Sequence, residues 1–179
     1  MCKRGRAIAE LTKEEVLEKL LLAHQAWFDI YRDHEFEGIT FPGYAEFHTH
    51  GEQYVLVKRA KLWEVDSHEY LFFQTVDELD EAELTNWVNF MLEHGIKKAQ
   101  PQPNHMSSNI TLVLIADSTN EMVAKTVRKT RFRKNFKFGL EGWADLKLAV
   151  VDLQGRSVVT NGAGKDLKPT IEANAWPSK

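Results

Sequence analysis

Hydrophobic residues recur every three or four positions along the first part of the chain. Thr12 and Glu15 have the spacing of a capping box, in which each side chain binds the other residue's backbone amide. Two adjacent apolar stripes follow the cap: Val16, Leu20, Ala23, Trp27 and Ile30, and Leu17, Leu21, Phe28 and Tyr31. The pattern predicts one helix that begins after Thr12 and includes Tyr31, with an apolar face wider than one sheet surface requires.

A turn signal follows this helix. Gly51 and Glu52 are typical of a two-residue II′ turn, so we predict that residues 44–50 pair with residues 53–59 in a hairpin. Successive side chains of a strand point to opposite faces, so each strand of this hairpin has two distinct faces.

A third strand completes the predicted meander. The segments "AKLWEV" and "YLFFQT" are separated by a predicted turn at "DSHE". Pairing them places large apolar side chains on both faces of the sheet. Such a sheet needs cover on both faces, from helices or from another subunit.

The second half of the chain begins with a predicted helix over residues 80–98, in which Gly95 marks the end of the apolar stripe. The short apolar run "ITLVLIA" predicts a central strand buried on both sides. Ser118 and Glu121 then have capping-box spacing, which predicts a third helix over "EMVAKTVRKTRF".

The predicted domain closes with a hairpin of "DLKLAVVDL" and "RSVVTN" around a turn at residues 154–155. The predicted fold is therefore a single layered α+β or α/β domain over residues 1–161. It has a mixed sheet, an N-terminal β-meander after one helix, two further helices and this C-terminal hairpin. Residues 162–179 are predicted to be a loosely ordered tail.

Four segments resemble the sequence pattern of a family of small uncharacterised prokaryotic proteins. They are "KRAKLWEV", "EYLFFQT", "NITLVLIADS" and "KFGLEGWADLKLAVVDLQGRSVVTN". The resemblance covers roughly residues 40–168. It implies a single domain and no assigned activity.

Composition narrows the class of protein. The chain has 179 residues and 43% apolar content, which suits one domain with a single core. No apolar run approaches the ~20 residues of a membrane span, and the only cysteine, Cys2, excludes a disulfide framework. We expect a cytoplasmic protein without a membrane partner. No nucleophile set or glycine-rich phosphate loop stands out, so we expect no cofactor and favour a protein that is not an enzyme.

Charge is distributed unevenly. Residues 1–120 contain 11 Lys+Arg and 20 Asp+Glu, whereas residues 121–179 contain 12 and 6. Such asymmetry indicates a polyanion partner for the basic half, or packing of the two halves within a chain or between chains. With the two-sided sheet and the wide helix face, it makes a self-associating homo-oligomer the leading hypothesis.

A basic segment in the second half supports a nucleic-acid partner instead. Its candidate binding residues are Arg128, Lys129, Arg131, Arg133 and Lys134. Phe132, Phe136 and Phe138 alternate with these cations, so phosphates and bases could both be contacted. The alternative is that the rings anchor the segment in the core and leave a solvated basic face.

Glu46, His48 and His50 form a candidate metal site, because alternating positions share one face of a strand. The predicted hairpin partner provides no good ligand, so a metal would need His68, His105 or an acid from another element. The alternative is a polar rim of solvated histidines.

Two further candidates lie later in the chain. Ser118 and Thr119, between a buried strand and a helix amino end, form a candidate anion site, although helix capping explains them equally well. Asp145 and Lys147 have the spacing of a restriction-nuclease-like metal motif, but on a different strand from the one that motif uses.

Overall fold

The computed structural model describes residues 11–52, 64–99 and 105–176, which form one seven-stranded mixed sheet and four α-helices. The helices are α1 (Lys13–His24), α2 (Glu81–Glu93), α3 (Glu121–Lys129) and α4 (Leu167–Ala175). The strands are β1 (Asp29–Phe36), β2 (Ile39–Glu52), β3 (Glu64–Leu79), β4 (His105–Thr119), β5 (Arg133–Asn135), β6 (Trp143–Asp152) and β7 (Ser157–Thr160). The predicted α+β domain with a meander after one helix is confirmed.

The sheet has the order β1-β2-β3-β4-β6-β5, and β7 also pairs with β6. The first three strands are antiparallel, whereas β3, β4 and β6 run parallel. Parallel neighbours need a crossover connection, and α2 and α3 lie in the two connections between them. Strand β4 is central, and residues 110–116 are buried throughout, as the apolar run predicted.

Helices cover both faces of the sheet. One core contains Leu84 and Met91 of α2, Val123 of α3 and the sheet residues that face them. The other contains Leu20 of α1, Ile171 of α4 and the opposite sheet face. The cover that the two-sided apolar pattern required is therefore present within one chain.

Helix α1 has the predicted capping box, with Glu15 N 3.2 Å from Thr12 Oγ1 and Thr12 N 2.9 Å from Glu15 Oε2. It ends at His24, so the predicted continuation to Tyr31 is wrong. Of the predicted stripe residues after His24, Ile30 and Tyr31 belong to strand β1, and Phe28 and Ile30 pack on the same core as α1. Residues on both sides of the helix end thus pack on one core, so the apolar spacing of the helix continues past His24.

The first hairpin joins β1 and β2 through Glu37 and Gly38, whose φ values are 50° and 81°. Two residues with positive φ are what a type I′ turn requires. The predicted turn at Gly51 and Glu52 is wrong, because β2 continues and Gly51 pairs with Val65 of β3. Residues 53–59 lie outside the described ranges.

The "DSHE" segment is also part of a strand. It lies inside β3, where His68 pairs with His48 of β2 and with Ser108 of β4. Ladders on both sides keep this polar segment extended, although its composition is typical of a turn. The predicted turn there is wrong for this reason.

Helix α3 begins at a different cap from the one predicted. Asn120 Oδ1 accepts from the amides of Met122 at 2.9 Å and Val123 at 3.1 Å. Ser118 remains in β4, paired with Glu78 of β3. The strand extends three residues beyond the apolar run, to Thr119, so the cap is Asn120 and not Ser118.

The predicted loose tail contains helix α4, which is a correction to the boundary at residue 161. Ile171 is 3% exposed and packs in the core shared with α1. Buried Asn161 holds the preceding turn, because its Oδ1 accepts from Leu148 N at 3.0 Å and from Gly164 N at 2.9 Å. The segment is therefore integral to the domain as far as residue 176.

Candidate functional site

A group of polar side chains lies on the sheet face that α2 covers, beyond the end of that helix. Alternation along β2 places Tyr44 and Glu46 on this face. Lys98 reaches them from the 3₁₀ helix Gly95–Lys98 that follows α2. These three residues are called the Lys98 cluster.

Hydrogen bonds join all members of the Lys98 cluster. Tyr44 Oη donates to Glu46 Oε2 at 2.6 Å, and Lys98 Nζ donates to Tyr44 Oη at 2.7 Å. Lys98 Nζ also lies 3.8 Å from Glu46 Oε2, with both side chains largely buried. Hydrogen bonds to charged groups are stronger than neutral ones, so the cluster ties the 3₁₀ helix firmly to the sheet.

Aromatic rings surround the cluster. The Lys98 ammonium lies 4.6 Å from the Tyr44 ring centroid, 5.2 Å from that of Tyr70 and 5.7 Å from that of Phe36. His34 of β1 stacks on Tyr44 with centroids 4.1 Å apart. Cations bind favourably to ring faces at such distances, so the rings partly replace the water that Lys98 has lost.

Burial shifts the ionisation of these groups. It lowers the pKa of Lys98, although the nearby Glu46 charge opposes the shift, and it raises the pKa of Tyr44 far above its usual range. Burial would raise the pKa of Glu46, but the Tyr44 hydrogen bond and the Lys98 charge outweigh it and lower that pKa. Burial and the Lys98 charge lower the pKa of His34. Shifted pKa values of this kind occur both at functional sites and in structural ion pairs. In the Lys98 cluster, the charged groups of Lys98 and Glu46 have their partners within the cluster.

The predicted metal ligands extend from the Lys98 cluster along β2. His48 Nε2 lies 3.9 Å from Glu46 Oε2, and His48 Nδ1 lies 2.8 Å from Nδ1 of His68. His50 pairs with Asp66 in the backbone register, but its side chain lies outside the described part of the chain. Among the described residues, no three His, Cys, Asp or Glu side chains come together as a metal site.

The basic segment lies at the other side of the sheet. Arg128 and Lys129 are in the last turn of α3, Arg131 follows the helix, and Arg133 and Lys134 are in β5. All five are exposed. Arg133 differs from the others, because Nε and Nη2 donate to Asp145 at 2.7 and 2.5 Å.

The ion pairs of this segment stay within the basic half. Lys125 pairs with Glu121, Arg133 with Asp145, and Lys137 with Glu141. Within the described ranges, no ion pair joins the segment to residues 1–120, and Arg128, Lys129, Arg131 and Lys134 have no ion-pair partner. Folding therefore leaves the charge asymmetry uncompensated in this part of the surface.

The three phenylalanines of the segment divide into two kinds. Phe132 and Phe136 are partly buried against the core, as the structural alternative predicted. Phe138 is 104% exposed, and it follows Lys137 in a turn where both have left-handed φ values of 42° and 57°. One ring of the segment is therefore exposed and lies outside the core.

The predicted anion site has acidic surroundings. Thr119 Oγ1 donates to Asp152 Oδ2 at 3.1 Å, and Asp117 accepts from Lys13 Nζ at 2.8 Å. Lys13 also pairs with Asp77. Three carboxylates in this region do not favour an anion, and the helix cap belongs to Asn120.

The nuclease-like spacing on β6 has separate partners for its two residues. Asp145 binds Arg133, and Lys147 Nζ donates to Asp166 Oδ2 at 2.7 Å. Both charges are largely buried and already neutralised, so these contacts explain the pair as two structural links.

Comparison with known proteins gives a family without an assigned activity. The model of a domain of unknown function, DUF8052, matches residues 12–173. The chain belongs to this family. The match confirms the resemblance to an uncharacterised family, and its span includes most of α4. No curated protein and no solved structure matches the chain. No helix in the described ranges combines the length and apolar character of a bilayer span.

Sequence reasoning missed several members of the site. The sequence pattern indicates only a helix end near Lys98, and it gives no signal for His34. Tyr44 was assigned a different strand partner. No local signal connects these residues, because the register of distant strands brings them together. The His68 position was considered as a supplementary ligand, and the structure places it directly opposite His48.

Proposed function

We propose that the chain binds single-stranded nucleic acid through a basic arm, defined as Arg128, Lys129, Arg131, Lys134 and Phe138. The observation that supports the proposal most directly is the absence, among described residues, of ion-pair partners for these four cations. Phosphates of a nucleic acid would supply the missing negative charge.

The reasons for preferring self-association have weakened. Helices of the same chain cover both sheet faces, and α1 ends before the stripe that made its face wide. The charge asymmetry remains, and it favours an external polyanion, because no ion pair in the described part of the chain joins the basic segment to the acidic half.

The exposed ring of Phe138 favours single-stranded over double-stranded nucleic acid. The ring is fully exposed four residues after Lys134 in the sequence, in a turn closed by Gly139 N donating to Phe136 O at 2.8 Å. Unpaired bases stack on such rings whatever their sequence, whereas duplex bases are already stacked. Two consecutive left-handed residues that are not glycine are costly, and such strain often accompanies binding surfaces.

The test measures binding of a labelled twenty-nucleotide thymidine oligomer by fluorescence anisotropy. With four phosphate contacts, a plot of the logarithm of the binding constant against the logarithm of the salt concentration should have a slope of about −3. Changing the four cations together to Gln should remove most of the binding and flatten the slope. Lys97→Gln is the control, because it removes an exposed lysine of the 3₁₀ helix that follows α2. The four changes should leave unfolding by urea nearly unaltered.

Phe138→Ala tests the stacking contribution. We expect about tenfold weaker binding to the oligomer and no change for heparin, which has phosphate-like charge but no bases. No binding of the oligomer at low salt would contradict the proposal. Binding of phosphatidylserine vesicles alone would also contradict it, and would assign Phe138 to a membrane contact.

Self-association remains the second candidate, because Trp27 is 75% exposed and Leu22 is 52% exposed near the end of α1. Leu22, Ala23 and Ala173 line a groove of about 350 Å³ between α1 and α4. We propose a second copy of the chain as the occupant. Sedimentation measured at chain concentrations from micromolar to millimolar should show a dimer, and Leu22→Lys should disrupt it. A monomer at every concentration would contradict this proposal.

A further inference from the structure

Two nitrogen atoms of neighbouring strands converge near the amino end of β3. His48 and His68 pair directly across β2 and β3, and their Nδ1 atoms are 2.8 Å apart. At this distance one Nδ1 donates a proton and the other accepts it. We propose that a divalent transition-metal ion takes the place of this shared proton, with the two Nδ1 atoms as ligands, and that the proton moves to the Nε2 atom of the donor ring.

The required adjustment is small. Zinc–nitrogen bonds of ~2.0–2.1 Å in a tetrahedral site place two nitrogens roughly 3.3 Å apart, about half an ångström more than here. The rings lie at 63° to one another with centroids 5.0 Å apart, so they can separate without colliding. The His48 side chain is 39% exposed, which gives an ion a route from solvent.

The Glu46 carboxylate lies beside the nitrogen of His48 that would not bind the metal. Its Oε2 lies 3.9 Å from Nε2 of His48, on the far side of the ring from the Nδ1 pair. A carboxylate there favours a proton on Nε2 and leaves the Nδ1 lone pair for a metal, an arrangement that commonly supports metal-binding histidines. Tyr44 Oη donates to this carboxylate at 2.6 Å, so the Lys98 cluster fixes a negative charge beside one of the two ligands.

The choice of ion follows from the donor atoms. Imidazole nitrogen binds Zn²⁺, Ni²⁺ and Cu²⁺ well, whereas Mg²⁺ and Ca²⁺ prefer oxygen. Water can complete the shell. Backbone pairing also places His50 opposite Asp66, and Asp66 beside His105. The proposal is based on His48 and His68, and the other histidines enter the test as variants.

The experiment uses untagged chain treated with a chelator and dialysed, titrated calorimetrically with ZnCl₂ and with NiCl₂. We expect one ion per chain and almost no net release of protons, because two neutral imidazoles bind the ion; titration in buffers of different ionisation enthalpy measures this. His48→Ala and His68→Ala should each weaken binding at least tenfold. His24→Gln, on the other sheet face, should leave it unchanged.

The shift in melting temperature on addition of Zn²⁺ is a second measurement. Histidines with a purely structural role would give no such shift. Zn²⁺ should raise the melting temperature of the natural chain and leave that of either variant unchanged. If an alanine variant fails to fold, the Gln variant at the same position replaces it. His50→Ala and His105→Ala show whether those residues strengthen the site. Absence of binding at millimolar metal, or binding that persists in the His48/His68 double variant, would overturn the proposal.

Discussion

The Lys98 cluster and the basic arm both contain lysine, but their positive charges have opposite surroundings. Lys98 is largely buried, bonded to Tyr44 and close to Glu46 and several ring faces. The cations of the basic arm are exposed and unpaired among the described residues. A satisfied cation contributes to the fold, whereas an unsatisfied one is available to a partner. Substitutions in the two regions should therefore affect different properties.

The largest stability effect is expected inside the Lys98 cluster. Glu46→Gln removes the charge that neutralises Lys98 and weakens the bond from Tyr44, so unfolding should become easier by about 2 kcal/mol. Urea unfolding measures the difference. Glu18→Gln is the matched control, because it breaks the exposed pair with Arg32 and should leave the unfolding curve within error. Equal effects of the two changes would remove the distinction between buried and exposed charge.

Arg133 provides an intermediate case, since it lies in the basic segment but is paired. Arg133→Ala leaves the largely buried Asp145 without its partner and should cost about 1 kcal/mol, after allowance for solvent around the guanidinium. Adding Asp145→Asn should restore part of the loss. Arg131→Ala should cost almost nothing by the same measurement. If Arg131→Ala were as costly as Arg133→Ala, the division into paired and unpaired cations would be wrong.

The smallest effect is a gradual loss of stability in acid. The pKa values of His34 and Glu46 are both lowered by the fold, from ordinary values of 6.5 and 4.5. The unfolded chain therefore takes up protons first, so stability present at neutral pH falls below about pH 6.5 and again below about pH 4.5. Urea midpoints across pH 3–8 should show both steps. His34→Gln should remove the upper step alone, and an unchanged profile in this variant would contradict the assignment.

The elements that sequence predicted well have strong local signals. The capping box of α1, the apolar run of β4 and the turn between β6 and β7 each depend on neighbouring residues. Strand β1 was missed because apolar positions that serve one core continued the helical spacing. Helix α4 was missed because its burial depends on packing against α1, which no local pattern announces.

The candidate site was predictable only along one strand. Alternation correctly placed Glu46 and His48 on one face of β2. Their partners come from other elements: Lys98 is 54 residues from Tyr44 in sequence, and His68 is 20 from His48. Such contacts are fixed by strand register and by the path of the chain after α2. The hairpin turn was assigned to the wrong residues, so every cross-strand partner of β2 was wrong as well.

The edge strands of the sheet bear on how readily the protein aggregates. Strand β1 is an edge of the sheet; its ladder is interrupted at Asp33, with φ 51°, between the pairs Arg32–Gly43 and His34–Phe41. Charged side chains occupy much of its length, and the opposite edge consists of β5 and β7, which have three and four residues. Short, charged or interrupted edges resist the addition of a foreign strand. The sheet is therefore protected against growth into fibres, and its partners should meet side chains rather than backbone.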